Sequence, residues 1–386
     1  EQVEMVKKVK RSESFIIRDV ITIKPNLTTG EAANYMKQHN ISGLPVVNDN
    51  GILIGIITSR DVRFADPNIP VNNVMTKDVI VAHEGITPED AIKLMKKHKI
   101  EKLPLIDKDG KLTGLITYKD VVLRDKYPNA IRDKDGRLMV AAAISPYDIK
   151  RAKELEKYAD ALVIDVAHFH NENVIQATKK LTKEVNIDII IGNLGTKEGV
   201  IDALTKIENV AGLRVGMGSG SVCTTTQITR TGAPTPFAVA QAKEALEELG
   251  LNIPIIADGG IRGALGASTA MMGYVFAACK ESPGPITMIG NRYYKLHRGM
   301  GSTSARQKRF ALDRYSHPSK DIPEGIETWI PYKGEASTVI EELIAGLKAA
   351  MGYAGASNIK EMFEKAQIAW ASPHIYSKTY NDTIKT

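Results

Sequence analysis

Residues 212–225 read GLRVGMGSGSVCTT, a short apolar run that breaks directly into a glycine-rich loop carrying Cys223. Five other apolar runs share its habit: 138–144 (LMVAAAI), 161–166 (ALVIDV), 187–192 (IDIIIG), 253–258 (IPIIAD) and 269–276 (TAMMGYVF). Amphipathic stretches such as 237–249 (FAVAQAKEALEEL) separate most of them. Continuous apolar strands alternating with helices indicate a parallel sheet covered on both faces. Several runs end in a polar or glycine-rich turn: Asp165 to His168, Gly192-Asn193, Gly216 to Ser221, and Asp258-Gly259-Gly260. In a (β/α)₈ TIM barrel such strand ends build the active site, whereas a doubly wound sheet concentrates its glycines in the first turn. The expected fold is therefore α/β, a TIM barrel. Six runs are counted where a closed barrel needs eight, and 263–268 is short for a helix between the last two.

The bulk composition is that of a globular protein, 43% hydrophobic and 25% charged over 386 residues. No apolar run approaches the roughly 18–20 residues of a membrane helix, and no signal-peptide pattern opens the chain. Two cysteines exclude a disulfide framework and suit a reducing, cytoplasmic setting. The net charge of +6 is spread along the chain, which argues against nucleic acid and is compatible with an anionic small molecule.

An internal repeat occupies the first third. Residues 41–61 (ISGLPVVNDNGILIGIITSRD) and 100–120 (IEKLPLIDKDGKLTGLITYKD) align without a gap at an offset of 59. Each copy predicts a β-rich run (Val20 to Ile23; Val79 to Val81), a helix around Met36 or Met95, and two strands joined by an Asn/Asp-Gly turn. The pattern resembles a tandem pair of CBS domains, which implies a regulatory adenine or guanine nucleotide. The resemblance assigns phosphate and ribose contacts to Thr58 and Asp61 in the first copy, and to Thr117 and Asp120 in the second. The plainer alternative is that Asp61 and Asp120 cap the helices that follow.

A cysteine inside a glycine-rich loop is placed for nucleophilic attack, because nearby donors favour its thiolate. The motif G-S-G-S-V-C-T-T at 218–225 resembles the catalytic loop of the IMP dehydrogenase and GMP reductase family. Further matches follow in order: Ala257 to Arg262, Arg298-Gly299-Met300-Gly301-Ser302, Arg314-Tyr315 with Pro323 to Glu327, and Gly346 to Tyr353. The resemblance implies NAD-dependent oxidation of inosine 5′-monophosphate (IMP) to xanthosine 5′-monophosphate, in guanine nucleotide synthesis, through a covalent purine adduct on Cys223. After the reduced cofactor departs, a mobile flap at about 303–332 takes its place, and Arg314 with Tyr315 activates water. Thr225 with Glu324 offers a second proton route. Ser221, Asp258, Gly260, Gly273, Gly299, Met300 and Glu324 are the implied substrate contacts, with Asp258 accepting from ribose hydroxyls. Asp165, Asn193 and Gly216 are the implied NAD contacts, and the carbonyls of Gly218, Gly220 and Cys223 the implied potassium site.

The implied division is a barrel helix at 1–11, CBS domains at 12–70 and 71–126, and a catalytic barrel at 127–386, assembled as a homotetramer. In the family two strands precede the CBS insertion and Glu1 to Arg11 resembles the helix after them, so the sequence looks N-terminally truncated. Three positions depart from the family's usual residues: Thr226 for Arg, Tyr274 for Ser and His297 for Tyr. All three bear on the phosphate or its loop. A GMP reductase shares Cys223 but has no hydrolytic step for Arg314-Tyr315 to serve. A third reading is a non-catalytic nucleotide sensor. The trio Asp165, His168 and His170 also has the look of a metal site, although no matching downstream cluster accompanies it.

Overall fold

The computed structural model describes residues 1–11, 16–119, 121–122, 127, 129–134, 136–261, 267–307, 323 and 325–367. The chain divides into two compact units: Glu1–Ala142 with Glu154–Asp160, and Ala143–Lys153 with Ala161–Thr386.

The first unit holds the repeat. Strands β1 (Gly43–Val47) and β2 (Leu53–Thr58) form a hairpin, and β4 (Lys102–Ile106) and β5 (Leu112–Thr117) form its counterpart, with β3 (Ala82–His83) beside β4. The expected run at Val79 to Val81 thus shifts to β3, and that at Val20 to Ile23 is reduced to a bridge between Ile23 and Val46. Helices Thr29–His39 and Pro88–His98 close over the two hairpins, and both stop at a left-handed residue, Asn40 and Lys99. Each copy buries its own core, built on Ala32, Met36, Leu44 and Ile57 in the first and on Ala91, Met95, Leu103 and Ile116 in the second.

The copies trade sheet edges. Ile17 bridges Leu115 of the second hairpin, while Thr76 bridges Ile56 of the first. These pairs are equivalent under the 59-residue offset, as are the bonds Leu53 N to Gly110 O and Leu112 N to Gly51 O, both 3.1 Å. An unpaired strand edge invites foreign strands, and the exchange covers one edge of each hairpin.

The first unit also buries a lysine. Lys10 Nζ, on helix Gln2–Arg11, donates to Asp133 at 2.7 Å, to both oxygens of Asp160 at 3.0 and 2.9 Å, and to the Leu138 carbonyl at 3.1 Å. Burial alone would raise the Asp133 carboxyl, but Lys10 and Arg137 bring it from 3.8 down to about 2.

The parallel strands are β6 (Ala141–Ile144), which straddles the boundary between the units, and β7 (Ala161–Ile164), β8 (Asp188–Leu194), β9 (Val210–Val215), β10 (Ile255–Asp258) and β11 (Thr269–Met271) of the second unit. They lie in the order β11-β10-β9-β8-β7-β6, each new strand added to the same side. A doubly wound sheet reverses its order at a switch point; steady progression is the barrel pattern, here a six-stranded portion of one. Helices Glu172–Thr182, Lys197–Lys206 and Thr235–Leu249 connect successive strands and bury their apolar faces. The expected last strand at 269–276 is shorter: it ends at Met271, and Tyr274–Ala277 turns helical after Gly273.

A three-stranded antiparallel sheet then follows, β12 (Ile286–Ile289), β13 (Arg292–Arg298) and β14 (Glu327–Pro331), in that order. Part of the segment expected as a flap therefore belongs to a regular ladder. The buried Lys295 of β13 donates to the carbonyls of Cys279, at 3.0 Å, and Ser282, which moors this sheet to the turn after Tyr274–Ala277.

The Lys10 cluster sets a pH dependence. A carboxyl whose folded pKa is depressed stabilises the fold above its unfolded value and loses that contribution as pH falls through the folded one. For Asp133 the window is about pH 4 down to about 2, and the amount about 2 kcal/mol. Lys10→Met is expected to lower the melting temperature at neutral pH and to flatten the acid limb in that window. Thermal unfolding across pH checks both.

Candidate active site

The C-terminal ends of β7 to β10 surround a cavity of about 210 Å³ whose wall includes Asn193, Gly216, Cys223, Thr225, Asp258 and Gly299. The loop after β9 supplies most of it. Gly216 and Gly218 hold φ of +111° and +71°, a left-handed backbone that admits glycine without strain. Cys223 is half-buried; its amide donates to Gly220 O at 3.0 Å, and its thiol lies 3.3 Å from Thr225 Oγ1. Gly325 bridges Cys223, Ile326 N donates to Val222 O at 3.1 Å, and Gly299 N to Ile326 O at 3.0 Å. Three loops distant in sequence are thereby tied around the cysteine.

Two hydroxyls latch this loop to β10. Ser219 Oγ lies 2.9 Å from Asp258 O, and Thr235 Oγ1 lies 3.0 Å from Ser219 Oγ, 3.0 Å from Asp258 O and 2.8 Å from Gly259 O. Gly260 leaves room here for the loop: a Cβ would lie 3.1 Å from Ser219 O, whereas a Cβ at Gly273 would meet nothing.

Asn193 is 8% exposed, and its Nδ2 donates to Gly216 O at 2.7 Å and to Asp258 Oδ2 at 2.8 Å. Both partners are acceptors, so the amide orientation is settled and Oδ1 is the buried atom left without a partner. Asp165, just past β7, pairs with Arg214, a buried residue of β9 whose Nε also lies 3.7 Å from Asp258 Oδ2. Arg214 was not among the expected site residues. The signal was present as a single charge inside the apolar run GLRVGM, where an unanswered cation would be costly.

The structure brings together Cys223, Thr225, Asn193, Asp258, Gly216, Gly218, Gly220, Gly299 and Met300 around one cavity. Asp165 stands behind it, and Ser221, Gly260 and Gly273 lie outside its lining. Arg314, Tyr315, Glu324 and Asp120 fall outside the described residues. The metal reading fails: among the described residues no group of three His, Cys, Asp or Glu could hold an ion. Asp165 is committed to Arg214, His170 faces Asp202 at 3.5 Å, and His168 Nδ1 faces the Met217 sulfur at 3.3 Å. Burial and the neighbouring His170 hold His168 below the usual imidazole value.

Thr226 fills a glycine cradle: Cβ atoms on Gly218 and Gly232 would fall 2.0 and 2.5 Å from its Oγ1. The rings of Tyr274 and His297 meet edge to face at 6.1 Å, and burial lowers the His297 pKa.

In the first unit an open cleft of about 2000 Å³ is lined by Thr117, Ser59, Arg18, Lys37, Lys102 and Lys119 among others. Lys102 Nζ donates to Ser42 Oγ at 2.8 Å, and burial lowers its pKa despite Glu101. Thr58 donates to Asp61 from its amide at 2.7 Å and its hydroxyl at 2.8 Å, so Asp61 caps helix Ser59–Arg63.

A half-barrel whose strand ends carry a cysteine loop, a carboxylate and tight glycine turns around one cavity has the layout of an enzyme built on a parallel α/β barrel. A profile of the IMP dehydrogenase / GMP reductase domain matches residues 1–376, and the chain belongs to that family. It is 54% identical over 381 residues to an inosine-5′-monophosphate dehydrogenase of Korarchaeum cryptofilum, spanning 96% of this chain and 80% of that one. An inosine-5′-monophosphate dehydrogenase of Methanocaldococcus jannaschii is 44% identical over 97% of this chain and 79% of its own. Among solved structures, a GMP reductase of Trypanosoma brucei bound to guanosine 5′-monophosphate superposes with a TM-score of 0.85 at 30% identity, covering 99% of this chain and 83% of that one. No described helix is long and apolar enough to cross a membrane.

Thr235→Val removes the hydroxyl shared by Ser219, Asp258 and Gly259. The expected cost is about 1–2 kcal/mol of stability and a fall in kcat of about tenfold, because 1.4 kcal/mol of lost positioning is worth that factor. Melting curves and steady-state turnover read the two effects separately.

Proposed function

We propose that the protein is an oxidoreductase that converts IMP to xanthosine 5′-monophosphate with NAD, in guanine nucleotide synthesis. The observation that carries this reading is the half-buried Cys223, held in its loop beside Thr225 and opening on a cavity that also presents Asp258 and Asn193. Identity of 54% to an IMP dehydrogenase, against 30% to the GMP reductase, favours oxidation of IMP over reduction of GMP. The intact cysteine loop speaks against a purely sensory protein.

Cys223 Sγ adds to C2 of the hypoxanthine ring, forming a C–S bond. NAD, when bound, supplies the acceptor for the hydride that leaves C2. Water then cleaves the C–S bond and returns the thiol. Thr225 Oγ1, 3.3 Å from Sγ, is placed to exchange a proton with that sulfur. Asp258, with one oxygen fixed by Asn193, offers its carboxylate to the ribose hydroxyls. The unpartnered Oδ1 of Asn193 fits a ligand N–H or O–H, and Asp165, oriented by Arg214, fits a ribose diol. These acceptors suit the amide and ribose hydroxyls of a nicotinamide dinucleotide. The left-handed glycines of 216–218 turn the loop so that carbonyls of Gly218, Gly220 and Cys223 are the reading for potassium. Ser221, Gly260, Gly273, Gly299 and Met300 are assigned to the substrate, and water activation to Arg314 and Tyr315, with Thr225 and Glu324 as a second route.

The repeat is proposed as a CBS pair at 12–70 and 71–126, inserted between a barrel helix at 1–11 and a catalytic barrel at 127–386 with its flap at about 303–332. Its basic cleft suits an adenine or guanine nucleotide, with Thr58, Asp61, Thr117 and Asp120 the assigned contacts. A homotetramer is the proposed assembly.

Incubation with IMP, NAD and potassium is expected to release NADH and to leave a purine adduct on the Cys223 peptide, both absent in Cys223→Ala. A folded protein that gives neither signal would overturn the assignment. At the cleft, Lys102→Met is expected to weaken ATP or GTP at least tenfold by calorimetry, leaving IMP turnover without added nucleotide unchanged.

A further inference from the structure

Arg214 is 5% exposed in the middle of β9 and has no part in the functional assignment beyond its contact with Asp165. Its Nη2 pairs with Asp165 at the end of β7, and its Nε lies 3.7 Å from Asp258 Oδ2 at the end of β10. One guanidinium thus faces two carboxylates contributed by separate strands. Asn193 completes the arrangement by donating to the same Asp258 oxygen at 2.8 Å. Close backbone packing makes the approach possible, since a Cβ on Gly192 would fall 2.5 Å from Arg214 O and 2.6 Å from its Cβ. A planar fork can answer two carboxylates at once; an ammonium on a flexible stem is a single point charge.

We infer that Arg214 is a positioning residue shared by both ligands of the reaction. It holds Asp165 for the cofactor ribose and Asp258 for the substrate ribose, so the two carboxylates keep one geometry. This rests on the oxidoreductase reading above. Arg214 lies behind the carboxylates, yet its loss weakens cofactor and substrate together, because each carboxylate left without the guanidinium is free to turn toward other partners.

The test uses the full chain with Arg214→Lys and Arg214→Gln, titrated separately with IMP and with NAD by calorimetry, alongside KM and kcat. The expected result is a rise of at least tenfold in Kd for both ligands in a variant whose circular dichroism matches the wild type. Should the single variants not fold, Asp165→Asn with Arg214→Met removes the charged pair together, and its IMP affinity is the readout, since Asp165 is not a substrate contact. Wild-type affinity for IMP in that double variant, or in folded Arg214→Lys, overturns the inference, as does a loss confined to one ligand. If the wild type binds neither IMP nor NAD, the oxidoreductase reading falls and takes this inference with it.

Discussion

A guanidinium taken out of water on β9 must be answered by negative charge, and that demand organises the second unit. Coulomb attraction between buried partners repays desolvation only when geometry is good and remaining polar atoms are satisfied. Asp165 and Asp258 supply that charge from the ends of β7 and β10, the first by direct pairing and the second at 3.7 Å from a buried Nε that makes no hydrogen bond, and Asn193 of β8 joins them through Asp258. Four consecutive strands are therefore linked at one level of the barrel. The cost of burying the charge is offset by the same carboxylates that line or back the cavity, so the fold's most demanding interaction and the site's polar groups coincide.

The cysteine loop depends on that platform. Ser219 and Thr235 fasten it to the Asp258 and Gly259 carbonyls, and the glycine turn after β10 is open where Ser219 packs. A loop held at its glycine-rich end by side-chain hydroxyls, and at its cysteine end by Gly325 and Ile326, presents Sγ with little freedom. Preorganisation of this kind is what a nucleophile requires, since a misplacement of about 1 Å can cost about a hundredfold in rate.

Much of this was legible beforehand because it rests on local pattern. Period, turn glycines and the 59-residue offset identify both hairpins, and five of the six apolar runs coincide closely with parallel strands. What was not legible depends on partners far apart in the chain. Apolar content alone could not tell that 274–277 is helical, because the turn at Gly273 redirects the backbone. The sheet β12–β14 draws its third strand from about thirty residues downstream, and nothing local in the sequence marks Lys295 as the residue that bonds the Cys279 carbonyl. The role of Arg214 likewise needed the register that aligns it with Gly192, and the ion pair that reaches Asp165 beyond it. For Asp61 the sequence left ribose contact and helix capping open, and the carboxylate is engaged in the cap.

The three departures from the family's usual residues fall into two packing solutions. Thr226 occupies space that Gly218 and Gly232 leave open, where a longer side chain at 226 would have to point away from the loop. Its hydroxyl therefore supports the loop from behind where an arginine would reach outward with charge. Tyr274 and His297 touch each other, so a change at either one alters the surface the other packs against. A small residue at 274 would leave the half-buried His297 ring without its edge-to-face partner. Read as isolated substitutions, these positions weaken the resemblance. As a cradle and a contacting pair they are two separate packing adjustments, and none of the three residues lines the cavity that holds the cysteine, its threonine and Asp258.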